Sequence, residues 1–130
     1  MAGAMIAGTG VDIIEVGRVK HALDTWGERF LKRVFTDREL DYASTKKFSH
    51  ENLAARFACK ESVLKAFGDT RIGARLKNIE VLNDAKGKPE VVLHGEAKEF
   101  AEKKNIGNIL VSMSHTSNYA VSHAILWINK

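Results

Sequence analysis

The sequence predicts an α+β fold, with helices in its first half and hairpins in its second half. Two observations predict this class. Apolar residues recur at helical spacing in segments that extend to residue 67. From residue 79 the pattern changes to short β-branched runs separated by turn residues, which is typical of antiparallel hairpins. The 130 residues contain no repeat and no linker, so we expect one domain over residues 1–130.

The first predicted element is a strand over residues 6–14, whose sequence is rich in glycine and β-branched residues. In this register Asp12 shares one face with Gly8 and Gly10, while the intervening side chains point to the other face. The segment does not match the dinucleotide-binding pattern G-x-G-x-x-G, because Ile13 occupies the position of the third glycine.

Three helices are predicted next. The first spans residues 16–26, where apolar side chains recur at helical spacing. The second begins at a capping box, Thr36-Asp-Arg-Glu39, whose threonine and glutamate side chains can bind free amides of the first helical turn. Residues 46–51 are polar and predict a loop. The third helix spans residues 52–67 and ends at Gly68, a residue type favoured just after a helix.

The second half predicts two hairpins separated by a short polar helix. Turn residues (asparagine, aspartate, glycine and proline) separate its apolar runs. The predicted elements are a strand over 79–82, a turn over 83–89, a strand over 90–94, a helix over 97–104, a strand over 108–114, a turn over 115–118 and a strand over 119–128.

Cysteine content and hydropathy restrict the location of the protein. Cys59 is the single cysteine and cannot form an internal disulfide, so we expect a reducing cytoplasm. No apolar run approaches the roughly 18 residues of a membrane helix, so no membrane partner is expected.

Basic residues are concentrated between Val16 and Phe35, in a chain with a net charge of +4 and a pI near 9.3. This segment contains two acids and five basic residues, which are Arg18, Lys20, Arg29, Lys32 and Arg33. Most charge runs of this kind are solvated helix faces. The alternative is a docking surface for an acidic partner, either a protein or a nucleic acid.

Two acids occupy positions where an apolar residue is expected. Glu61 lies beside the apolar stripe of its helix, and Asp12 lies within an otherwise uncharged strand. Simple interpretations are a surface ion pair between Glu61 and Lys65 and a helix-capping role for Asp12. Burial of a lone carboxylate costs several kcal/mol or more, so both acids would otherwise need a partner. Two carboxylates that meet in space would suit Mg²⁺, which takes few protein ligands and completes its shell with water and substrate phosphates.

Several groups suited to phosphates surround these acids in the sequence. Lys65 lies one helical turn beyond Glu61, Lys86 and Lys88 flank a glycine whose turn could present backbone amides to an anion, and His115 follows a strand end rich in hydroxyls. The alternatives are solvated turn lysines and a structural histidine. The five histidines are not spaced as zinc ligands.

Four motifs together resemble the bacterial holo-[acyl-carrier-protein] synthase family of 4′-phosphopantetheinyl transferases. They are Gly8-Thr-Gly-Val-Asp-Ile with Arg18, Arg56-Phe-Ala-Cys-Lys-Glu-Ser-Val-Leu-Lys-Ala-Phe67, the turn from Asn83 to Pro89, and Ser112-Met-Ser-His115 with Tyr119-Ala. The resemblance extends from about Ile6 to Ile128, and the helix motif F-x-x-K-E-x-x-x-K-A is its most specific part. The chain departs from the family at Ser62-Val63, where alanine commonly follows the glutamate.

The resemblance implies a single domain of the transferase type, with helices packed on an antiparallel sheet, and an Mg²⁺-dependent reaction. Phosphopantetheine would pass from coenzyme A to a serine of apo-acyl carrier protein, with release of adenosine 3′,5′-bisphosphate, in support of fatty acid biosynthesis. The implied metal ligands are Asp12 and Glu61, and the implied catalytic residues are Glu61, Lys65 and His115. The implied coenzyme-binding residues are Lys65, Lys86, Gly87, Lys88, Pro89, Ser114 and His115. The implied carrier-protein surface consists of Arg18, Arg29, Lys32 and Arg33. Similar proteins form trimers with the coenzyme between neighbouring subunits.

Three groups could accept the serine proton: a metal-bound water, Glu61 acting through that water, or His115. Two other classes of function compete with this one. A nucleic-acid-binding domain would explain the positive charge, but acids such as Asp12 repel a phosphate backbone and no nucleic-acid motif is present, so no nucleic acid partner is expected. A structural oligomerisation protein would leave the phosphate-suited turns unexplained.

Overall fold

The computed structural model describes residues 4–45, 50–68 and 76–129. Its elements, in chain order, are β1 (Ala4–Glu15), α1 (Val16–Trp26), α2 (Glu28–Val34), α3 (Asp37–Thr45), α4 (His50–Phe67), a 3-10 turn (Leu76–Asn78), β2 (Ile79–Asn83), β3 (Pro89–Leu93), α5 (Gly95–Lys103), β4 (Ile106–His115) and β5 (Tyr119–Asn129). The described part of the chain therefore confirms the predicted α+β class.

Most predicted boundaries lie within a few residues of the observed ones, with two differences in the first half. Gly27 has a positive φ of 53° and ends α1, but a further short helix, α2, follows at once, and this helix was not predicted. The predicted loop over 46–51 is wrong at its last two residues, because α4 begins at His50. Residues 46–49 of that loop lie outside the described residues.

The strands form two separate antiparallel units. β1, β5 and β4 form a three-stranded sheet in that order, and β2 and β3 form a hairpin. Helix α4 packs across one face of the three-stranded sheet. The residues on the opposite face stay largely exposed; we call them the outer sheet face, and they are Thr9, Val11, Ile13, Glu15, Leu110, Ser112, Ser114, Tyr119, Val121 and His123.

Two glycines of β1 allow α4 to lie directly on the strand. A Cβ atom added to Gly8 would lie 2.2 Å from the carbonyl oxygen of Ala66, and one added to Gly10 would lie 2.0 Å from that of Ser62. Both distances are far inside van der Waals contact, so no side chain fits at either position. The sequence placed both glycines on one face of the strand, and the structure shows that this face meets the backbone of α4.

Helix α4 is surrounded by protein on more sides than its predicted apolar stripe indicated. Leu53 is fully buried as expected, but Phe57, Leu64 and Phe67 are only partly buried. The remaining fully enclosed positions include small and polar residues, namely Ala54, Ala58, Cys59, Lys60, Ser62 and Val63. The helix is central because the sheet covers one side, α1 and β2 contact others, and Lys60 and Arg56 reach residues of α3. Its side chains therefore do not separate into an apolar and a polar face.

A buried ion pair connects α4 to α3. Lys60 Nζ lies 2.7 Å from Glu39 Oε1, and neither side chain is exposed to solvent. The ammonium also donates to the carbonyl oxygens of Leu76 and Ile79, while Glu39 accepts from the amides of Thr36 and Val81. The Thr36–Glu39 contacts confirm the predicted capping box. Removal of one partner from such a pair typically costs roughly 3–5 kcal/mol, because the other charge is left buried and alone.

Hydrogen bonding is complete within the described part of the protein, where every buried side-chain nitrogen and oxygen has a partner. No helix among these residues is long and apolar enough to cross a membrane.

Candidate active site

Asp12, Glu61 and Lys65 come together between β1 and α4. Gly8, Gly10 and Asp12 occupy successive positions on the same face of β1, so Asp12 is the first of the three with a side chain to direct at the helix. Lys65 Nζ lies 2.9 Å from Asp12 Oδ1 and also donates to the carbonyl oxygen of Val11. The ion pair of Lys65 is therefore with the strand and not only a local contact along its own helix.

The helix-capping interpretation of Asp12 is wrong. The residue at the N-cap position of α1 is Glu15, and it makes no side-chain capping hydrogen bond. The Asp12 side chain, 16% exposed, instead contacts Lys65 on the inner side of the sheet. Its place in the strand is therefore explained by α4 and not by α1.

The carboxyl group of Glu61 is in an unfavourable environment for its charged form. Partial burial raises its pKa, and the negative charge of Asp12 raises it further, while Lys65 acts in the opposite direction. The pKa of the Lys65 ammonium is also raised, by its hydrogen bond to Asp12 and by the charge of that carboxylate. Two carboxylates thus share one exposed lysine, and an additional cation would relieve their repulsion.

The chemistry of these donors fits a hard divalent cation. Carboxylate oxygens are the ligands that Mg²⁺ prefers, and one or two of them per ion are usual. Nowhere in residues 4–45, 50–68 and 76–129 do three histidine, cysteine or acidic side chains form a cluster that could hold a metal. Asp12 and Glu61 could hold Mg²⁺ only if water or phosphate oxygens supplied the remaining ligands.

A cavity of about 370 Å³ opens beside the two carboxylates. The carboxylates of Asp12 and Glu61 and the guanidinium-bearing residue Arg18 line it together. Its apolar wall includes Val19 and Ala22 of α1, Phe30 of α2 and Phe57 of α4. The cavity therefore combines an anionic site with a cationic residue from the segment that the sequence marked as basic.

A second, smaller groove adjoins this cavity. It has a volume of about 210 Å³ and is lined by Trp26, Arg29, Phe30 and Arg33. Phe30 lines both spaces, and the Arg29 guanidinium lies 6.0 Å from the centre of the exposed Trp26 ring. Three of the four predicted docking residues, Arg18, Arg29 and Arg33, therefore line these two adjoining spaces. The fourth, Lys32, lines a third groove, of about 520 Å³, which shares Arg33 with the second groove and also includes Lys77.

The structure places the remaining predicted site residues elsewhere on the chain. His115 lies at the end of β4, where its Nδ1 atom is 3.4 Å from Glu51 Oε2. Ser114 is exposed on the outer sheet face. Lys88 and Pro89 line a groove between β3 and β4 that shares no described residue with the carboxylate cavity. Within one chain, these groups do not complete the site at Asp12 and Glu61.

The turn between β2 and β3 differs in detail from the expected anion-binding turn. The amides of Lys86 and Lys88 both donate to Asp84 Oδ1, at 2.8 Å and 2.9 Å, and the amide of Gly87 donates to the Asp84 carbonyl oxygen. Asp84 therefore accepts hydrogen bonds from the same backbone amides that the sequence predicted to bind a phosphate. The exposed side chains of Lys86 and Lys88 remain available to an external anion.

The sequence reasoning missed the polar side chains that support this region. Arg56 is only 4% exposed and Glu39 and Lys60 are fully enclosed, although charged residues are seldom buried. The available signal was the position of Arg56 and Lys60 within a helix of alanine, leucine and phenylalanine. Periodicity alone could not identify their partners, which lie in other elements.

Comparison with known proteins assigns the chain to a class. The family model described as the 4′-phosphopantetheinyl transferase superfamily matches residues 8–123, and the chain belongs to this family. A relative in the same family is the holo-[acyl-carrier-protein] synthase of Solibacter usitatus, which is 43% identical over 123 residues, or 94% of this chain and 98% of the relative.

Solved structures resemble the fold over nearly its full length. The acyl carrier protein synthase of Plasmodium yoelii with ADP bound has a TM-score of 0.89 at 30% identity, covering 98% of this chain and 99% of that chain. The holo-(acyl-carrier-protein) synthase of Bacillus anthracis in complex with CoA (3′,5′-ADP) has a TM-score of 0.77 at 32% identity, covering 96% and 99% of the two chains.

The raised pKa of Glu61 predicts a pH-dependent effect of Glu61→Gln on stability. Because this pKa is higher in the folded chain than the ordinary value of 4.5, ionisation of Glu61 favours unfolding. The penalty is absent well below the ordinary value and complete above the raised one. In metal-free protein, Glu61→Gln should therefore raise the melting temperature at pH 7, and this gain should disappear as the pH falls below about 4.

Thermal unfolding between pH 3.5 and 8 measures this effect, with Glu99→Gln on the exposed side of α5 as the control. Added Mg²⁺ should raise the melting temperature of the unaltered protein more than that of Glu61→Gln, because the variant lacks one of the two carboxylates. A Glu61→Gln protein that is less stable than the unaltered chain at pH 7 would contradict the charge repulsion described here.

Proposed function

We propose that this chain is a holo-[acyl-carrier-protein] synthase. It transfers the 4′-phosphopantetheine group of coenzyme A to a serine of apo-acyl carrier protein, releases adenosine 3′,5′-bisphosphate and thereby supports fatty acid biosynthesis. The observation that carries this proposal is the convergence of Asp12 and Glu61 beside a cavity that also contains Arg18. Family membership and the coenzyme complex of the Bacillus anthracis relative support the same reaction.

In the reaction, the serine oxygen forms a bond to the β-phosphorus of coenzyme A, and the bond from that phosphorus to the bridging oxygen of the leaving bisphosphate breaks. The hydroxyl proton leaves, and negative charge grows on the bridging oxygen. Asp12 and Glu61 would hold Mg²⁺, which when bound supplies Lewis-acid stabilisation of that charge. Both residues line the same cavity, which supports a shared ligand.

Lys65 has two roles in this proposal. Without substrate its ammonium neutralises Asp12 at 2.9 Å. Its side chain is 55% exposed, so it can turn from the carboxylate to a phosphate oxygen when the coenzyme arrives. The lysine would then stabilise the phosphate charge. The carboxylates would be neutralised by Lys65 before the substrate binds and by the metal ion afterwards.

The proton of the serine passes to one of the three groups named above: a metal-bound water, Glu61 acting through that water, or His115. The raised pKa of Glu61 makes this carboxylate a stronger base than an ordinary glutamate. His115 carries an imidazole, the side chain most often used for proton transfer, but it would have to reach the substrate from outside the carboxylate cavity of its own chain.

The assay for this function is mass spectrometry of apo-carrier protein after incubation with coenzyme A, with and without EDTA. Carrier protein should gain the mass of phosphopantetheine, and EDTA should prevent the gain. Asp12→Ala should lower the rate by at least about a hundredfold while the fold is retained, because a metal ligand is lost. A near-normal rate for Asp12→Ala would remove the metal site from the mechanism, and an unmodified carrier in every condition would reject the function.

The carrier protein is proposed to dock across α1 and α2. Acyl carrier protein is expected to be acidic, and the cationic residues Arg18, Arg29, Lys32 and Arg33 would face it. Phe30 lines both the carboxylate cavity and the groove formed with Trp26, Arg29 and Arg33. A partner bound in that groove would therefore lie next to the reacting groups. We assign no nucleic acid partner, since Asp12 and Glu61 would repel a phosphate backbone that has no metal to bridge it.

Reversal of one docking charge tests this surface. Arg18→Glu should raise the KM for carrier protein about tenfold with little change in the KM for coenzyme A, because it repels an acidic partner. The control is Lys103→Glu on α5, outside the basic segment. The KM for carrier protein should also rise with salt, since the Debye length falls from about 10 Å at 0.1 M to about 3 Å at 1 M. An unchanged KM in Arg18→Glu would exclude this docking mode.

The protein is proposed to assemble as a homotrimer with coenzyme A between neighbouring subunits. Two features support an assembly. The outer sheet face exposes Val11, Ile13 and Tyr119 by 58%, 65% and 50%. Glu15, at the end of β1, is the one acid among the residues that define this face, and none of them is a lysine or an arginine. Such a face suits a second copy better than an acidic carrier. In addition, the carboxylate cavity is lined by none of the predicted coenzyme-binding residues at β3 and the end of β4, so a neighbouring copy could complete the site.

Sedimentation equilibrium measures the assembly directly. The unaltered protein should show three times the mass of the 14.4 kDa chain. Val11→Arg should yield monomers because it places a charge in the apolar contact, and its transferase activity should fall with the loss of trimer. Glu99→Arg, on the exposed side of α5, should leave the mass unchanged. A monomeric unaltered protein that is fully active would contradict the shared site.

We also propose that residues 1–130 act as one transferase domain and that the protein works in the cytoplasm. The single cysteine, Cys59, is buried and free, and burial raises its pKa to about 11. A thiol of this kind needs no oxidising compartment for the fold.

A further inference from the structure

A chain of hydrogen bonds connects the interior of α4 to the turn between β2 and β3. Arg56 donates through Nη2 to Asn83 Oδ1 and through Nη1 to the carbonyl oxygen of Val81. Asn83 Nδ2 in turn donates to the carbonyl oxygen of Gly87, at 2.9 Å. A buried guanidinium thus reaches the tip of an exposed turn through one intervening side chain.

The turn does not need this connection in order to close. Asp84 accepts hydrogen bonds from the amides of Lys86 and Lys88, and backbone bonds between residues 84 and 87 and between 84 and 88 complete the loop. The side chains of Arg56 and Asn83 therefore add something other than the shape of the turn. They fix its orientation relative to α4.

The guanidinium of Arg56 is itself held on several sides. It is 4% exposed, its central carbon lies 4.7 Å from the ring centre of Tyr42, and both of its terminal nitrogens have oxygen partners. Burial of a charged group is costly, and an apolar side chain could fill such a site in its place. The planar fork of arginine can hold two acceptors at a set separation, which a hydrocarbon cannot do.

We propose that Arg56 and Asn83 are positioning residues for coenzyme A, which act by fixing the turn that presents the ammonium groups of Lys86 and Lys88. This inference rests on the proposed function. Both lysine side chains are exposed and have many rotamers, so their placement at a phosphate depends on how firmly their backbone is held. Glu61 lies five residues after Arg56 on the same rigid helix. Helix α4 thus carries a predicted metal ligand and also holds the predicted phosphate-binding turn. This is true whether the two belong to the same active site or to two sites of the assembly.

The test is Asn83→Ala, which removes the connection but leaves Asp84 and the backbone bonds of the turn. The KM for coenzyme A should rise about tenfold, while kcat and the KM for carrier protein change less than about twofold. Calorimetric titration with coenzyme A alone should show a similar loss of affinity without turnover. Arg56→Lys, which keeps the charge but loses the fork, should give an intermediate loss.

A second arginine, which does not contact Asn83, separates positioning from stability. Arg38 bonds to Glu80 of β2 and not to the turn. Arg38→Gln should lower the melting temperature without a change in affinity for coenzyme A, whereas Asn83→Ala should lower the affinity as well as the melting temperature, because it also leaves a buried nitrogen of Arg56 without its acceptor.

The route through the lysines is tested by combination. The double variant Lys86→Ala/Lys88→Ala should bind coenzyme A weakly, and Asn83→Ala added to it should weaken binding by less than about twofold, because the groups that it positions are gone. Fully additive losses would overturn this route, and so would a folded Asn83→Ala protein with unchanged affinity. Unaltered protein that binds no coenzyme A would overturn the proposed function, and the positioning role with it.

Discussion

The contact between the backbone of α4 and the strand β1 is the constraint on which the rest of the structure depends. It exists because Gly8 and Gly10 have no side chains where the helix carbonyls of Ala66 and Ser62 approach. At the next position on the same face the strand carries Asp12, and the helix carries Glu61 and Lys65 opposite it. The glycines thus set the distance at which acids from two elements can share a ligand. A larger residue at either position would separate the helix from the strand and open the candidate site.

A helix so enclosed must satisfy its polar residues within the protein. Lys60 is neutralised by Glu39 and bound to two carbonyl oxygens, and Arg56 is bound to Val81 and Asn83. These interactions exchange hydration for fixed partners in α3 and the hairpin, so their net contribution to stability is small compared with the loss when one partner is removed. Their effect is directional. They fix the rotation of α4 and the placement of the turn that it supports.

The candidate site shows the opposite arrangement, with charges that the protein leaves partly unneutralised. Glu61 is half-buried beside Asp12, and its pKa is raised by burial and by that neighbouring charge. Lys60 and Glu61 are adjacent on α4, but the charge of Lys60 is fully paired, whereas the charge of Glu61 is not. Incomplete pairing is expected where a cation and a phosphate are to be bound, because the ligands then supply what the protein lacks. The basic groove along α1 and α2 adds charge of the sign that suits an acidic partner.

The sequence by itself determined the α+β class, most element boundaries, the placement of Asp12 with Gly8 and Gly10 on one strand face, and the family. Strand alternation, capping residues and motif order are local properties, so they can be read without knowledge of contacts. Only the tertiary structure decided the partners. It paired Lys65 with Asp12, Lys60 with Glu39 and Arg56 with Asn83. In the 83–89 turn, the Asp84 side chain accepts hydrogen bonds from the backbone amides. The first three pairs join residues 21 to 53 positions apart. Periodicity within a segment carries no information on such distances, because they depend on how closely two elements can approach.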